Sequence, residues 1–537
     1  MIGKIIAISG PAVRVKLPGL KLYERVYVGE AMLIGEVVRI DRDTATIQVY
    51  ENTYNLSINE PVKGTGMPLT ARLGPGLLSG IFDGLQRPLS RLREELGPFN
   101  IAGKEIYAID YTKPYIFRPM VKKGDSIKKG EIIGSFEEGP FEHLLISDKE
   151  GRVEKLLSGE VTLDLPLITL DNRTEIFGCH EWPVRMPRPY KRKLPSAVPL
   201  ITGQRCIDFL FTVAKGGTVI IPGGFGTGKT ILEQSIAKFA DADMVIYAGC
   251  GERGNEMADL IEEFERLKDP WSQKDLMERT IIVANTSNMP VAAREASIYT
   301  AVTMAEYYRD MGYDVLLLAD SISRWAEALR EISSCLEEMP GEESYPTYLA
   351  SRISGFLERA GMVETLSGRT GSLTMILSVS PPGGDITEPV TQSCLRTGGV
   401  MLMLDTSLAH KRYFPAINWT QGYSLYEREV SSFFMDRISK DWKQLKKRCR
   451  EILLREEELR DVVEIIGIEG LQDADRLLMN IAERIRIEFL CQNAYTEDAF
   501  SDPKRTLSKI KGLIELYDAS LERLKKGETI EEILKGL

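Results

Sequence analysis

The sequence predicts a multidomain chain: an N-terminal β-barrel, a β-rich inserted bulge, an α/β core on a parallel sheet, and a C-terminal helical bundle. Its 537 residues are too many for one hydrophobic core and suffice for three or four domains. Short strand patterns fill the first 70 residues, strands alternate with helices from about 200 to 430, and strand patterns then stop. The expected segments are a barrel at 1–70, a linker with a helix at 71–109, the insert at 110–190, the core at 191–430 and the helical domain at 431–537.

The composition is that of an ordinary globular protein, with 43% hydrophobic and 27% charged residues. The net charge of −10 argues against a broad nucleic-acid surface, although it leaves a local basic channel open. Seven scattered cysteines without a CxxC pair indicate reduced thiols, and only three histidines argue against a histidine-rich metal site. We expect neither a signal peptide nor a membrane span, because no apolar run approaches the roughly 18 residues that a span needs.

The barrel is predicted from runs in which apolar and polar residues alternate between glycine-containing turns. These runs are Ala12–Lys16, Arg25–Val28, Ile34–Ile40 and Thr46–Tyr50. Residues 75–92 then predict a loop followed by a helix that leads to the core.

The insert contains the repeated pattern Lys-Lys-Gly-acid, at 122–125 and at 128–131. The pattern fits either a basic interaction patch or two similar hairpin turns. We favour the turns, because solvated lysines at turns are common. The proline-rich stretch 182–189 predicts a rigid connector at the end of the insert.

Two C-terminal stretches, 443–490 and 503–537, carry apolar residues at helical spacing. Such stripes serve either as a surface for a partner or as the core of a helical bundle. We favour the bundle core, which is the commoner use of this pattern.

A glycine-rich octapeptide in the α/β region has the spacing glycine, four residues, Gly-Lys-Thr. A β-branched stretch, 217–222, precedes it and a helical stretch, 231–240, follows it, which is the context that a phosphate-binding loop needs. Its backbone N–H groups and the helix N-terminus attract phosphate, a lysine reaches the β- and γ-phosphates, and a threonine hydroxyl ligates Mg²⁺. A glycine turn without a ligand is the alternative, and both flanks argue against it. The predicted nucleotide-binding residues are Gly223, Gly224, Phe225, Gly226, Thr227, Gly228, Lys229 and Thr230.

Two later strands end in carboxylates. Ligands lie beyond the carboxyl ends of parallel strands, so Glu252 at the end of 243–252 is a candidate to polarise the attacking water, unless it is a surface carboxylate in a turn. Asp320 ends the apolar run 314–320 in the manner of a Walker B strand and is a candidate Mg²⁺ ligand, directly or through water. Many buried strands end in aspartate, so the assignment of Asp320 depends on its position after the phosphate loop in the same α/β region.

An adenine pocket should be apolar and aromatic. The candidates are Phe414, within Tyr413-Phe-Pro415, and Tyr495 and Phe500 in the C-terminal part. Any single aromatic is more often part of a core than stacked on a base, so their assignment depends on a family resemblance.

The phosphate loop and several other motifs resemble those of the catalytic A subunit of V/A-type rotary ATPases and ATP synthases. The resemblance runs from the barrel to about residue 500 and is dense between 180 and 420. The motifs lie at 185–190, 199–205, 249–256, 284–299, 320–330, 380–385 and 413–419.

The resemblance implies a RecA-like nucleotide-binding core. It also implies that three A subunits alternate with three non-catalytic B subunits in an A3B3 ring, with a central rotor and a peripheral stalk. ATP and ADP would be the nucleotides, Mg²⁺ the cofactor, and H⁺ or Na⁺ the ion moved in a separate membrane sector. The subunit would lie peripherally on the cytoplasmic face of a membrane, without a nucleic-acid partner.

The resemblance also implies residue roles. Lys229 and Thr230 would serve phosphate and Mg²⁺, Glu252 would be the water-positioning base, and Arg253 would support it. Asp320 would match the Walker B carboxylate, partly through water. The base-binding aromatics would be Phe414, Tyr495 and Phe500. No arginine is marked by motif or spacing as a finger in cis, so we expect the neighbouring B subunit to donate it.

Some positions depart from the family. Thr227 stands where many eukaryotic relatives carry cysteine, so thiol-based control is not expected there. The stretches 395–405 and 420–423 and the C-terminal region also diverge, which bears on Tyr495 and Phe500.

Three other functions have different requirements. A hexameric nucleic-acid translocase would need a basic channel and aromatic residues that stack on bases, whereas this chain is acidic and has no such pattern. A non-catalytic ring subunit should lack the intact phosphate loop or Glu252, and this chain keeps both. The insert at 110–190 argues against the ATPase of a secretion system.

Overall fold

The computed structural model describes residues 2–96, 103 and 106–537. The chain forms two compact units. The first comprises Met1–Leu194, Ala242–Val379 and Ile386–Thr397, and the second comprises Pro195–Asp241, Ser380–Asp385 and Gly398–Leu537. Each unit is therefore assembled from three separate stretches of sequence.

Six antiparallel strands close into an N-terminal barrel in the order β1-β2-β5-β4-β3-β6. Apolar side chains such as Val13, Val26 and Ile47 point inward and are fully buried, as the alternating pattern requires. The predicted barrel is confirmed, although the closing pair β1 and β6 is absent from the four predicted runs. The strands are β1 Ile2–Ser9, β2 Ala12–Lys16, β3 Glu24–Val28, β4 Leu33–Asp41, β5 Thr44–Val49 and β6 Pro61–Pro68.

A short connecting region follows the barrel. It contains β7 Thr70–Leu73, β8 Ile81–Phe82 and helix α1 Leu89–Leu96. The helix lies where the sequence predicts one after a loop. Residues 97–102 and 104–105 of the predicted linker lie outside the described residues.

The insert is built from two four-stranded antiparallel sheets, in the orders β10-β13-β15-β16 and β12-β11-β9-β14. Strand β17 leaves it to pair with β7. The strands of this region are β9 Tyr115–Pro119, β10 Ser126–Ile127, β11 Ile132–Glu138, β12 Phe141–Ile146, β13 Gly151–Leu156, β14 Gly159–Val161, β15 Pro166–Leu170, β16 Glu175–Phe177, β17 His180–Pro183 and β18 Arg192–Leu194.

The two Lys-Lys-Gly-acid patterns are turns on either side of β10. Asp125 accepts a hydrogen bond from the backbone N–H of Lys122 at 2.7 Å, and Glu131 accepts the equivalent bond from Lys128 at 2.9 Å. The glycine of each turn has a positive φ. The acid at the fourth position thus closes each turn, which explains why the pattern repeats.

The second unit begins with a strand, loop and helix. It contains β19 Pro199–Leu200, α2 Arg205–Leu210, β20 Val213–Ala214, β21 Thr218–Pro222 and α3 Lys229–Phe239. Strand β21 is fully buried, as expected for a strand covered on both faces.

The chain then returns to the first unit and forms a parallel sheet in the order β26-β24-β22-β23-β8, with β25 antiparallel to β26. Helices α5 and α6 pack against β22. These elements are β22 Met244–Glu252, α4 Gly254–Arg266, β23 Thr280–Thr286, α5 Val291–Asp310, β24 Asp314–Asp320, α6 Ile322–Cys335, α7 Leu349–Leu357, β25 Gly361–Glu364, β26 Thr370–Val379 and α8 Pro389–Thr397.

The second unit ends in helices that pack on one another. Strand β27 Val400–Met401 runs parallel to β21, and β28 Tyr423–Ser424 is antiparallel to β27. The helices are α9 Thr406–His410, α10 Glu427–Arg437, α11 Trp442–Ile466, α12 Asp473–Arg484, α13 Pro503–Lys525 and α14 Ile530–Gly536, and a π-helical turn, Ile485–Leu490, follows α12. Leu453, Ile481 and Ile510 are among the buried residues of these helices, so their apolar stripes form a bundle core.

Candidate active site

The phosphate loop joins β21 to α3 in the second unit. Gly226 and Gly228 have φ of +76° and +84°, a region that favours glycine. The Lys229 ammonium donates to the carbonyl oxygens of Gly223 at 2.6 Å and Gly224 at 2.8 Å. Its positive charge is thereby held over the loop at the N-terminus of α3, which is the place where backbone N–H groups and the helix dipole also favour an anion.

Other loop side chains divide between structure and surface. The Thr227 hydroxyl donates to the Gly224 carbonyl at 2.9 Å, and its residue is only 1% exposed. Thr227 therefore braces the loop from inside. Phe225 is 90% exposed at the loop surface, and Thr230 lies in the first turn of α3.

The predicted aromatics occupy different places in the second unit. A Cβ at Gly228 would come within 3.4 Å of the Phe414 ring, so this ring lies beside the phosphate loop. Phe500 packs on Phe239 at the other end of α3, an 11-residue helix that is about 16.5 Å long at 1.5 Å per residue. Tyr495 is 80% exposed. The structure thus places one of the three rings at the loop and one at the far end of its helix.

Asp320 lies in the first unit, at the carboxyl end of β24, and is 2% exposed. Its two carboxylate oxygens accept hydrogen bonds from the flanking strands: Ser378 Oγ donates to Oδ1 at 2.7 Å, and the Tyr247 hydroxyl donates to Oδ2 at 3.3 Å. Two hydroxyl donors from two strands fix the plane of the carboxylate. Neither hydroxyl donor is apparent from the Walker B pattern, because both come from other strands.

Glu252 also lies in the first unit, as the last residue of β22, with Arg253 between it and α4. The Glu252 carbonyl accepts a hydrogen bond from Ser287 N at 2.8 Å. The Arg253 guanidinium is 3.6 Å from Glu256, and its side chain is 63% exposed. Arg253 is therefore accessible from solvent.

Two arginines that the sequence reasoning did not assign surround Gly251, the neighbour of Glu252. A Cβ at Gly251, whose φ is +76°, would lie 2.8 Å from Arg324 Cβ and 3.1 Å from Arg294 Cδ. The pKa of Arg324 is raised, chiefly by its hydrogen bond to Glu327 and to a smaller extent by the Glu252 carboxylate. Arg294 lies in the motif 284–299 and Arg324 in the motif 320–330, so their places within these two motifs were the signal in the sequence that could have identified them.

Among the described residues, no group of three or more His, Cys, Asp or Glu side chains could hold a metal ion. The donors that the sequence proposes for Mg²⁺ are one threonine hydroxyl and one carboxylate. Oxygen donors in this small number fit Mg²⁺, which keeps several waters and binds substrate phosphates.

Comparison with known proteins decides the family. The A subunit of the A-type ATP synthase of Methanopyrus kandleri is 51% identical over 99% of this chain and 92% of its own length. The chain belongs to the family of A-type ATP synthase A subunits. Relatives of the same name from Methanosarcina barkeri and Thermococcus onnurineus are 49% and 48% identical, each over 99% of the chain and 93% of its own length.

The family descriptions follow the domain order along this A subunit. They are the ATP synthase alpha/beta family beta-barrel domain at 5–66, the barrel-sandwich domain at 106–185, the nucleotide-binding domain at 203–424 and the C-terminal domain of V and A type ATP synthase at 431–534. The predicted barrel, inserted β domain, nucleotide-binding α/β domain and helical domain are confirmed.

A solved structure shares the fold. The ATPase EscN of the type III secretion system of enteropathogenic E. coli covers 95% of this chain with a TM-score of 0.68 at 21% identity. That likeness concerns the fold alone. The relatives near 50% identity are A-type ATP synthase A subunits, so the predicted family is confirmed. The three alternatives, a nucleic-acid translocase, a non-catalytic ring subunit and a secretion-system ATPase, are not supported.

Proposed function

We propose that this A subunit is the site where MgATP is hydrolysed or formed, and that this chemistry is coupled to the movement of H⁺ or Na⁺. The proposal is carried by the loop between β21 and α3, in which the Lys229 ammonium lies over two loop carbonyls at the start of a helix. That arrangement is suited to a polyphosphate, because backbone N–H groups, a helix dipole and the Lys229 ammonium converge there.

The residue roles follow from charge and position. Lys229 compensates the β- and γ-phosphates, and the Thr230 hydroxyl and the Asp320 carboxylate would hold Mg²⁺, Asp320 partly through water. When bound, Mg²⁺ neutralises charge on phosphate oxygens. Glu252 accepts a hydrogen bond from the attacking water and polarises it, and Arg253 supports this carboxylate.

The remaining loop residues and three aromatics bind the nucleotide. Gly223, Gly224, Phe225, Gly226, Thr227 and Gly228 surround the phosphates with backbone N–H groups. Phe414, beside Gly228, contacts the base side of the nucleotide. Tyr495 and Phe500 are the further base-binding residues that the family resemblance implies, and of these Phe500 packs on Phe239 at the opposite end of α3 from the loop. Apolar and aromatic walls with a few polar groups are the usual lining of such a pocket.

We propose the partners that the family resemblance implies. Three copies alternate with non-catalytic B subunits in an A3B3 ring, served by a central rotor and a peripheral stalk. The ring lies at the cytoplasmic face of a membrane, where a separate sector moves the ion, and no nucleic acid takes part. No helix in the described part of the chain has the length and apolarity of a membrane span.

The decisive experiment replaces Glu252 with Gln, which keeps the shape and removes the charge. We expect MgATP affinity to stay within a few-fold while steady-state hydrolysis by the assembled ring falls by roughly 10²- to 10⁴-fold, the usual contribution of a positioned base. Glu262→Gln on α4 is the matched control, because that carboxylate pairs with Arg266 and its side chain is 59% exposed. Hydrolysis within a few-fold of the parent in the Glu252→Gln ring would exclude Glu252 as the base.

A further inference from the structure

The segment 489–501, which runs from the last two residues of the π-helical turn towards α13, is hydrogen-bonded to the start of the nucleotide-binding part within the second unit. Ser501 N donates to the Gly203 carbonyl at 3.0 Å, and Gln204 Nε2 donates to the Ala499 carbonyl at 3.1 Å. Gly203 itself packs under the Phe500 ring, where a Cβ would come within 2.6 Å of a ring carbon. The segment that carries Tyr495 and Phe500 is therefore fixed at its second half.

Gln492 is the centre of this joint and is 5% exposed. Its side-chain oxygen accepts from Arg205 N at 2.8 Å, and its side-chain nitrogen donates to the carbonyls of Gly203 at 2.8 Å and Ala499 at 3.2 Å. Its backbone N–H donates to the Phe414 carbonyl at 2.7 Å. One buried glutamine thus links α2, the C-terminal segment and the aromatic residue beside the phosphate loop.

Arg205 secures the same segment through its guanidinium, and its side chain is 1% exposed. It donates from Nε to the Phe489 carbonyl at 2.7 Å and from Nη2 to the Cys491 carbonyl at 2.6 Å. It also forms a two-pronged pair with the Asp498 carboxylate, at 2.5 and 2.7 Å. Charge-assisted bonds of this planar kind fix direction as well as distance.

We propose that Arg205 and Gln492 are positioning residues for recognition of the base. Together they hold the Phe414 backbone on one side and the segment bearing Tyr495 and Phe500 on the other. The proposal rests on the base pocket proposed above. Its specific consequence is that loosening the joint weakens binding of the nucleoside moiety and leaves binding of the phosphates to the loop unchanged.

The test compares MgATP with magnesium tripolyphosphate, which has the phosphates without a base. Calorimetric titration of the chain would measure both affinities in Gln492→Leu and in Asp498→Asn. Asparagine has the same shape as aspartate, and the Asp498 side chain is 29% exposed, so the second variant is expected to fold. Loss of a hydrogen bond at the joint should weaken MgATP binding by about 3- to 10-fold, with tripolyphosphate within twofold. Asp518→Asn is the matched control, since it weakens a two-pronged pair with Arg448 between α13 and α11.

Phe414→Ala separates this inference from the proposed pocket. If Phe414→Ala leaves MgATP affinity unchanged, the pocket is wrong and the inference falls with it. If Phe414→Ala weakens MgATP alone while both joint variants bind like the parent, the pocket stands and the positioning role is refuted. Equal weakening of MgATP binding and tripolyphosphate binding in the joint variants would also refute the positioning role, because a general structural defect affects both ligands alike.

Discussion

Lys446 on α11 offers a stability prediction that the structure makes quantitative. Its side chain is 6% exposed and lies 3.2 Å from Glu427, which also pairs with Arg450 at 3.0 Å. Burial lowers the pKa of Lys446 from 10.5 to about 8, although Glu427 acts in the opposite direction. At 1.36 kcal/mol per pKa unit, this difference corresponds to about 3 kcal/mol of destabilisation when the ammonium is charged.

Lys446→Met should therefore stabilise the region around α10 and α11 by up to about 3 kcal/mol at pH 7. Between pH 8 and 10.5 the unfolded parent binds more protons than the folded parent. The free energy of unfolding of the parent therefore rises with pH in this range. The advantage of the variant should stay constant below pH 8 and shrink as pH rises towards 10.5. Above that range both chains carry an uncharged residue there.

Hydrogen exchange in peptides from α10 and α11 is the appropriate measurement, because a chain of several domains need not unfold in one step. Lys447→Met is the control, since the neighbouring Lys447 side chain is 78% exposed. Its exchange should match the parent at every pH. Faster exchange in Lys446→Met at pH 7, or an advantage that does not change between pH 8 and 10.5, would refute the assignment of a buried, costly charge.

Three further predictions concern the site. Lys229→Ala should abolish MgATP binding in a calorimetric titration, because charge compensation at the phosphates is lost; unchanged affinity would count against the phosphate-loop assignment. Ser378→Ala should raise the Mg²⁺ concentration needed for half-maximal nucleotide binding by about 10-fold, because the Asp320 carboxylate loses a buried hydrogen bond. Tyr247→Phe should raise that concentration less, because the hydrogen bond from Tyr247 to Asp320 is longer. An unchanged Mg²⁺ requirement in Ser378→Ala would contradict this prediction. The purified chain alone should bind MgATP but hydrolyse it slowly, and addition of the B subunit should raise turnover by about 10³-fold or more, the usual effect of an arginine supplied in trans; full activity in a verified monomer would show that the site is complete in cis.

Local patterns allowed much of the fold to be predicted. The phosphate loop is identifiable because its strand, glycines and helix are consecutive in sequence. The same holds for strands that end in Glu252 and Asp320. By contrast, β6 contains Gly64 and Gly66 and few apolar residues, so its strand character depends on pairing with β1 and β3 rather than on its own pattern.

The parts of the site that escaped prediction are contacts between distant positions. The hydroxyls that hold Asp320 come from β22 and β26, and the arginines around Gly251 come from α5 and α6. A single sequence records the residue types but not these juxtapositions. Phe500 shows the same limit, since its position at the far end of α3 from Lys229 follows from packing on Phe239.

The pairing of Arg205 with Asp498 has a consequence for biosynthesis. The two residues are 293 positions apart, and the carbonyls of Phe489 and Cys491 that Arg205 also requires lie almost as far downstream. At about 5 to 20 residues per second, the ribosome needs roughly 15 to 60 s to supply these partners after Arg205 has been made. Throughout that interval α2 and the phosphate loop exist without the groups that neutralise this guanidinium. The second unit can therefore close only late in translation, and the nascent nucleotide-binding segment has to remain soluble until then.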